Sequence, residues 1–170
     1  MLRLEKNNKI KSILYETDKI LQNQVIEVLN EMLDYNDDNF IDEMEEDFRI
    51  KKENITFIVE TKGLKRNIAG TDVSKTFNHV LMYEEKLQEI GKKENVKGIF
   101  IVATQRDRCL QEREKTPDRQ ISIAERNNIL IIRTEELLKL FEAFRNKKIK
   151  TEEIIKIFNE QIGEFKFGKE

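Results

Sequence analysis

Apolar positions along the chain mark out its elements. From about residue 10 to residue 33 they recur at helical spacing, at Ile13, Leu14, Ile20, Leu21, Val25, Val28, Leu29 and Met32. That periodicity predicts an amphipathic helix. The next stretch, "DYNDDNFIDEMEED", is crowded with acids, and "FRIKKENITFIVETKG" then reads as two strands around a turn. Residues 72–90 predict a second amphipathic helix, capped by Asp72 or Thr71 and ended by Gly91. The unbroken apolar run "VKGIFIVAT" (96–104) predicts a buried strand. After the charged loop "QRDRCLQEREKTPDRQ" come a short helix at "ISIAERNN", a strand at "ILIIR" and a helix at "TEELLKLFEAF", with Thr134 as its N-cap. Residues 151–163 predict a last amphipathic helix, and "FKFGKE" is expected to fray. This order gives an α/β fold with a mixed sheet flanked by helices. Residues 1–150 form its body, and 151–170 are a helix and tail of the same domain.

Composition narrows the function classes. At 170 residues the chain fits one domain. Its formal net charge is -2, from 31 Lys+Arg against 33 Asp+Glu, so partners must be argued from local patches. Cys109 is alone, which excludes an internal disulfide framework and agrees with a reducing cytoplasmic setting. No apolar stretch approaches the roughly 20 residues of a membrane span. There is no Gly/Ser/Pro linker and no repeat of solenoid length.

The chemistry concentrates where "ITFIVETKG" ends. Side chains alternate along a strand, so Glu60 and Lys62 share a face with Thr56 and Ile58, and Phe57, Val59 and Thr61 take the other. A two-residue turn at Glu53-Asn54 makes paired residue numbers sum to 107 and sets Asp47 opposite Glu60. Opposed carboxylates about 4.5–5.5 Å apart repel each other. A divalent cation between them removes that repulsion, and Mg²⁺ commonly takes one or two carboxylates while keeping several waters. Lys62 beside such an ion would orient a water or offset charge developing on a phosphate. A one-residue slip in register would turn Asp47 to the wrong face.

An Asp, a hairpin's length and then Glu-x-Lys at the end of an apolar strand, here "EEDFRIKKENITFIVETKG", resembles the PD-(D/E)XK nuclease superfamily of restriction-endonuclease-like fold. The following helix "DVSKTFNHVLMYEEKL" and the closing elements "VKGIFIVAT", "ILIIR" and "TEELLKLFEAF" fit the same order. The likeness runs from about residue 20 to residue 145. Glu46 stands where the nominal pattern has proline. The resemblance implies hydrolysis of phosphodiester bonds with Mg²⁺ or Mn²⁺. In that reading Asp47 and Glu60 hold the metal with help from the Thr61 carbonyl, and Lys62 is the catalytic lysine. It also implies DNA, more than RNA, as the substrate.

Further residues are candidates through the same resemblance. Many such nucleases use an acid from the first helix, and Glu31 borders the apolar arc of Val25, Val28, Leu29 and Met32. His79 falls where the family often has a polar site residue; the alternative is a half-buried histidine at a helix–sheet boundary. Lys65 and Arg66 lie beside the site, and Arg106, Arg108, Arg113, Lys115 and Arg119 lie in the next loop. Such side chains make phosphate contacts, although Asp107, Glu112, Glu114 and Asp118 are interleaved among them. A homodimer would suit double-strand cleavage.

Two other readings compete. One is a nuclease-like fold used for nucleic-acid binding or assembly without catalysis. The other is a calcium loop at residues 34–45, with Asp34, Asn36, Asp38, the Phe40 carbonyl and Glu45 as ligands. Against it, Asn39 replaces the turn glycine, no second loop is present to pair with, and the exit helix would run into "DFRI", which reads as strand.

Overall fold

A computed structural model describes residues 8–34, 48–52 and 54–168. In chain order its elements are α1 (Asp18–Leu33), β1 (Phe48–Lys52), β2 (Ile55–Gly63), α2 (Gly70–Glu89), β3 (Asn95–Ala103), α3 (Asp118–Arg126), β4 (Ile129–Arg133), α4 (Thr134–Arg145), α5 (Thr151–Glu160) and β5 (Gly163–Glu164). The helical period expected from residue 10 onward is interrupted. Residues 8–11 are helical, a 3₁₀ turn follows at Ser12–Leu14, and the chain re-enters helix at Asp18. The Ser12 carbonyl accepts N–H bonds from Tyr15 and Glu16, which closes the first turn and ends that segment.

Helix α2 begins two residues before its expected cap. Ala69 is the N-cap, and Asp72 sits one turn in, accepting the Ala69 N–H at 2.8 Å. Gly91, at φ 66, lies just past its end, where a left-handed residue suits glycine. Thr134 is the first residue of α4, and Arg133 takes the cap position. As far as it is described, to Gly168, the tail is tied down rather than frayed. Gly163 and Glu164 pair with Leu130 and Ile131, the Phe165 N–H reaches the Ile131 carbonyl at 2.8 Å, and Phe165 is buried.

The strands form one mixed sheet in the order β1-β2-β3-β4-β5, with β1 antiparallel to β2 and the remaining pairs parallel. The hairpin keeps the sum of 107, from Lys52 opposite Ile55 to Phe48 opposite Val59. Beneath one face, α1, α4 and α5 supply Val25, Leu29, Leu137, Leu140, Ile154 and Phe158, which pack on Phe57, Val59, Ile99 and Ile132. Over the other, α2 and α3 supply Val73, Val80 and Ala124 against Ile58, Phe100 and Ile131. Strand β3 is buried along nearly its whole length, as a central parallel strand must be.

Two glycines permit close approach. A Cβ on Gly98 would come within 2.3 Å of Ile129 Cδ1 and 3.0 Å of Val80 Cγ2, so α2 rests directly on β3. A Cβ on Gly63 would meet the Glu16 carbonyl oxygen at 2.2 Å and Thr17 Cα at 2.8 Å. The segment entering α1 therefore lies on the end of β2 itself.

The apolar run of β3 also hides a lysine. Lys97 is 1% exposed, and its ammonium donates to Asn128 Oδ1 at 2.8 Å. Burial pushes its pKa down to about 8. An unfolded lysine titrates near 10.4, so the unfolded chain holds the proton more tightly than the folded one. The penalty is present in full below about pH 8 and fades as pH rises toward the unfolded value, at an upper bound of about 3 kcal/mol. Lys97→Met is expected to raise Tm at pH 7 and to raise it much less at pH 10, as thermal melts at the two pH values would show. Equal gains at both would mean that packing, not charge burial, sets the effect.

Candidate functional site

The site grows from an antiparallel meeting of one strand and one helix. Strand β2 runs out to Gly63, and α2 turns back from Gly70 over the same face. Alternate strand residues are about 6.6 Å apart and helix residues rise about 1.5 Å each. One step back along β2, from Lys62 to Glu60, therefore matches the advance from Asp72 to the Lys75–His79 stretch of α2.

The side chains meet in that order. Glu60 is buried at 3% exposure, with Lys75 Nζ 2.5 Å from its Oε1 and His79 Nδ1 3.1 Å from its Oε2. Lys62 Nζ donates to Asp72 Oδ1 at 2.8 Å. The Arg66 guanidinium grips the same carboxylate, Nη1 to Oδ2 at 2.7 Å and Nη2 to Oδ1 at 3.1 Å. Burial alone would raise the pKa of Asp72, but bonds from Arg66, Lys62 and the Ala69 N–H outweigh it and hold the group at about 2. Each buried carboxylate thus has cations that reach solvent: the side chains of Lys62, Arg66 and Lys75 are 40%, 53% and 46% exposed.

The loops beyond β2 and β3 are stitched together. Leu64 N–H bonds to the Ala103 carbonyl, Gln105 N–H to the Arg66 carbonyl and Arg106 N–H to the Leu64 carbonyl. Lys65, Arg66 and Arg108 are exposed on this rim. Among solved structures, the chain is similar to one of the restriction endonuclease FokI, with TM-score 0.65 and 19% identity over 96% of this chain and 31% of that one. It is likewise similar to one of FokI bound to DNA, with TM-score 0.64 and 19% identity over 96% of this chain and 30% of that one.

The fold is restriction-endonuclease-like.

The chain spans about three-tenths of the length of the FokI chains it matches. No family model matches it, and neither does any curated protein. Among the described residues, no helix is long and apolar enough to cross a membrane.

Within the restriction-endonuclease-like fold the candidate residues separate. Glu60 meets His79, and one step further out along β2 Lys62 meets Arg66 on Asp72. Thr61 lies between Glu60 and Lys62 with its side chain toward the opposite face of the sheet. Asp47 lies outside the described residues, as does most of the calcium-loop stretch. Glu31 does not join the site. Its carboxylate takes Arg145 Nε and Nη2 at 2.8 and 2.9 Å, on the far face of the sheet. Helix α1 enters at the Gly63 end of β2, where Thr17 Oγ1 donates to the Gly63 carbonyl at 3.2 Å, and leaves at the hairpin end, where Lys52 reaches the Asp34 carbonyl at 3.0 Å. Glu31, in its last turn, is at the wrong end for Lys62.

The basic loop divides as well. Arg106 donates to the Tyr15 carbonyl at 3.4 Å. Arg113 is buried, bonds the Leu14 carbonyl at 2.7 Å and lies over the Tyr15 ring, so it fastens the N-terminal segment to the loop. Lys115 and Arg119 are exposed. The residue that sequence reasoning missed is Lys75. Its signal is the spacing Asp72, Lys75, His79, a single stripe at i, i+3 and i+7 along α2.

Proposed function

We propose that the chain is a metal-dependent nuclease that hydrolyses phosphodiester bonds in DNA, of a restriction, repair or defence kind. The observation that carries this reading is the pairing of buried Glu60 with Lys62 on one face at the end of β2, on a restriction-endonuclease-like fold. The similar structure of FokI bound to DNA supports DNA over RNA. A lone exposed Cys109 agrees with a reducing cytoplasmic setting.

Mg²⁺ or Mn²⁺ is the ion this reading calls for, and of its proposed holders Glu60 and Thr61 lie among the described residues. Among the described residues no three His, Cys, Asp or Glu side chains gather as a metal site. Yet the buried Glu60 carboxylate already draws the Lys75 ammonium to 2.5 Å, a cation in contact with the carboxylate proposed to hold one. Glu60, the Thr61 carbonyl and Asp47 would hold the ion. When bound, it supplies a Lewis acid and a water of lowered pKa. His79 Nδ1 lies 3.1 Å from the second oxygen of Glu60. Lys62 offers its ammonium to the charge that develops on the attacked phosphate. Lys65, Arg66, Arg106 and Arg108 bind phosphates of the DNA, so affinity falls as salt rises. A two-fold dimer would place one site on each strand of a duplex.

Lys75 makes this reading specific. It competes with the divalent ion for Glu60, so Lys75→Met is expected to tighten Mn²⁺ binding about two- to five-fold, the worth of a half-exposed ion pair. Mn²⁺ titration followed by electron paramagnetic resonance measures it, and weaker binding would remove Lys75 from competition. The function itself is tested by incubating linear, supercoiled and single-stranded DNA with the protein in Mg²⁺, Mn²⁺, Ca²⁺ or chelator. Cleavage in Mg²⁺ or Mn²⁺ that stops with chelator supports the nuclease. DNA retention without cleavage in any metal would replace it with a non-catalytic binding module, and Ca²⁺ binding lost in Glu45→Gln would point to the acidic loop instead.

A further inference from the structure

We propose that Asp72 is a positioning residue that holds the Lys62 ammonium and the Arg66 guanidinium together as one phosphate-reading pair. The inference rests on the nuclease reading, because it assigns how the lysine of that site is held.

A lysine on a four-carbon stem has many rotamers, and one whose head is 40% exposed ordinarily samples them. Here three constraints act on one acceptor. Asp72 is 1% exposed, so its carboxylate is fixed by packing. Its backbone belongs to the first turn of α2, and its Oδ2 accepts the Ala69 N–H at 2.8 Å. Its Oδ1 accepts both Lys62 Nζ and Arg66 Nη2. Arg66 holds the same acceptor through a two-pronged contact, which fixes the plane of the carboxylate as well as its place.

Helix capping alone does not account for this arrangement. A side chain at this third helical position needs only one oxygen turned back to the Ala69 N–H, which an uncharged amide would also supply. The second oxygen is turned to two cations, both open to solvent on the side where the loops carrying Lys65 and Arg108 are stitched together. The ligand that suits a lysine and an arginine held side by side is a phosphodiester, whose two non-bridging oxygens take one donor each.

The test is single-turnover cleavage of duplex DNA in Mg²⁺ by Asp72→Asn, with Kd for the same DNA measured in Ca²⁺. Asparagine keeps an oxygen for the Ala69 N–H, and Asp72→Glu keeps the charge but moves it by one methylene. The expected result is a rate lower by about 10- to 100-fold in Asp72→Asn, a smaller loss in Asp72→Glu, and Kd changed less than about three-fold. On a Lys62→Ala background, Asp72→Asn should cost clearly less than in the wild type, because the Lys62 part of its effect is already gone and only the Arg66 part remains. Full rate in both Asp72 variants, or equal losses with and without Lys62, overturns the proposal. Lysine-selective NMR of the Lys62 Cε and Nζ signals gives a readout independent of cleavage. Sharpening and displacement of those signals in Asp72→Asn supports the tether, and an unmoved Lys62 overturns it. A wild-type protein that cuts no DNA removes the nuclease reading, and with it the assignment to catalysis, even where NMR finds Lys62 tethered.

Discussion

Lys62→Ala is expected to lower DNA cleavage by on the order of 10²- to 10³-fold, the range for deleting one preorganised charge donor at a reacting centre. The loss should fall on the rate at saturating DNA and metal. Stability should change little, because the variant orphans nothing. Asp72 would still accept both Arg66 bonds and the Ala69 N–H, and the lysine head it loses is 40% exposed. The check is single-turnover cleavage beside a thermal melt of the same preparation. An unchanged rate with unchanged Tm would take Lys62 out of the chemistry, and with it the main reason to read this site as catalytic.

Glu60→Gln is expected to do more. The carboxylate is buried at 3% exposure and is the one proposed metal-holding acid among the described residues. Its amide analogue keeps the shape and loses the charge, so divalent-ion affinity should drop and cleavage should fall on the order of 10³-fold, about 4 kcal/mol of lost transition-state stabilisation. The released Lys75 has a head 46% exposed and can be hydrated, which limits the cost to folding. His79, at 5% exposure, cannot turn to water and keeps its place beside the amide. Mn²⁺ titration and cleavage should fail together. Cleavage lost with metal binding intact would mean that Glu60 acts in the reaction without holding the ion.

The sequence carries the strand and the placement of its charges well because both rest on local rules. Alternation put Glu60 and Lys62 on one face, and a two-residue turn set the pairing that runs from Lys52 opposite Ile55 to Phe48 opposite Val59. The apolar run of β3 announced a central strand. What failed depends on relations between elements. The wheel of α1 tells which residues border its apolar arc but not which end of the sheet each one reaches, so Glu31 was drawn to a site that α1 approaches with its first turn. Lys75 carries no strong local mark because its partner lies across a helix–strand interface. Strand β5 has no propensity signature at all. Two residues pair because β4 offers them a partner and Phe165 has a core to fill.

The sheet ends in two margins that meet the solvent on different terms. At one, β5 contributes only Gly163 and Glu164. At the other lies β1, whose five residues include Arg49, Lys51 and Lys52. Arg49 stacks on Tyr83 at 5.1 Å and Lys51 meets Glu94 at 2.5 Å, so the strand's charges are anchored along its length. A rim strand presents backbone donors and acceptors to any passing chain, and a row of cations or an extreme shortness discourages that pairing. The strand beside the one that carries Glu60 and Lys62 is thus an open margin of the sheet. Its basic residues Arg49, Lys51 and Lys52 line that margin, and cations along a rim strand disfavour edge-to-edge pairing.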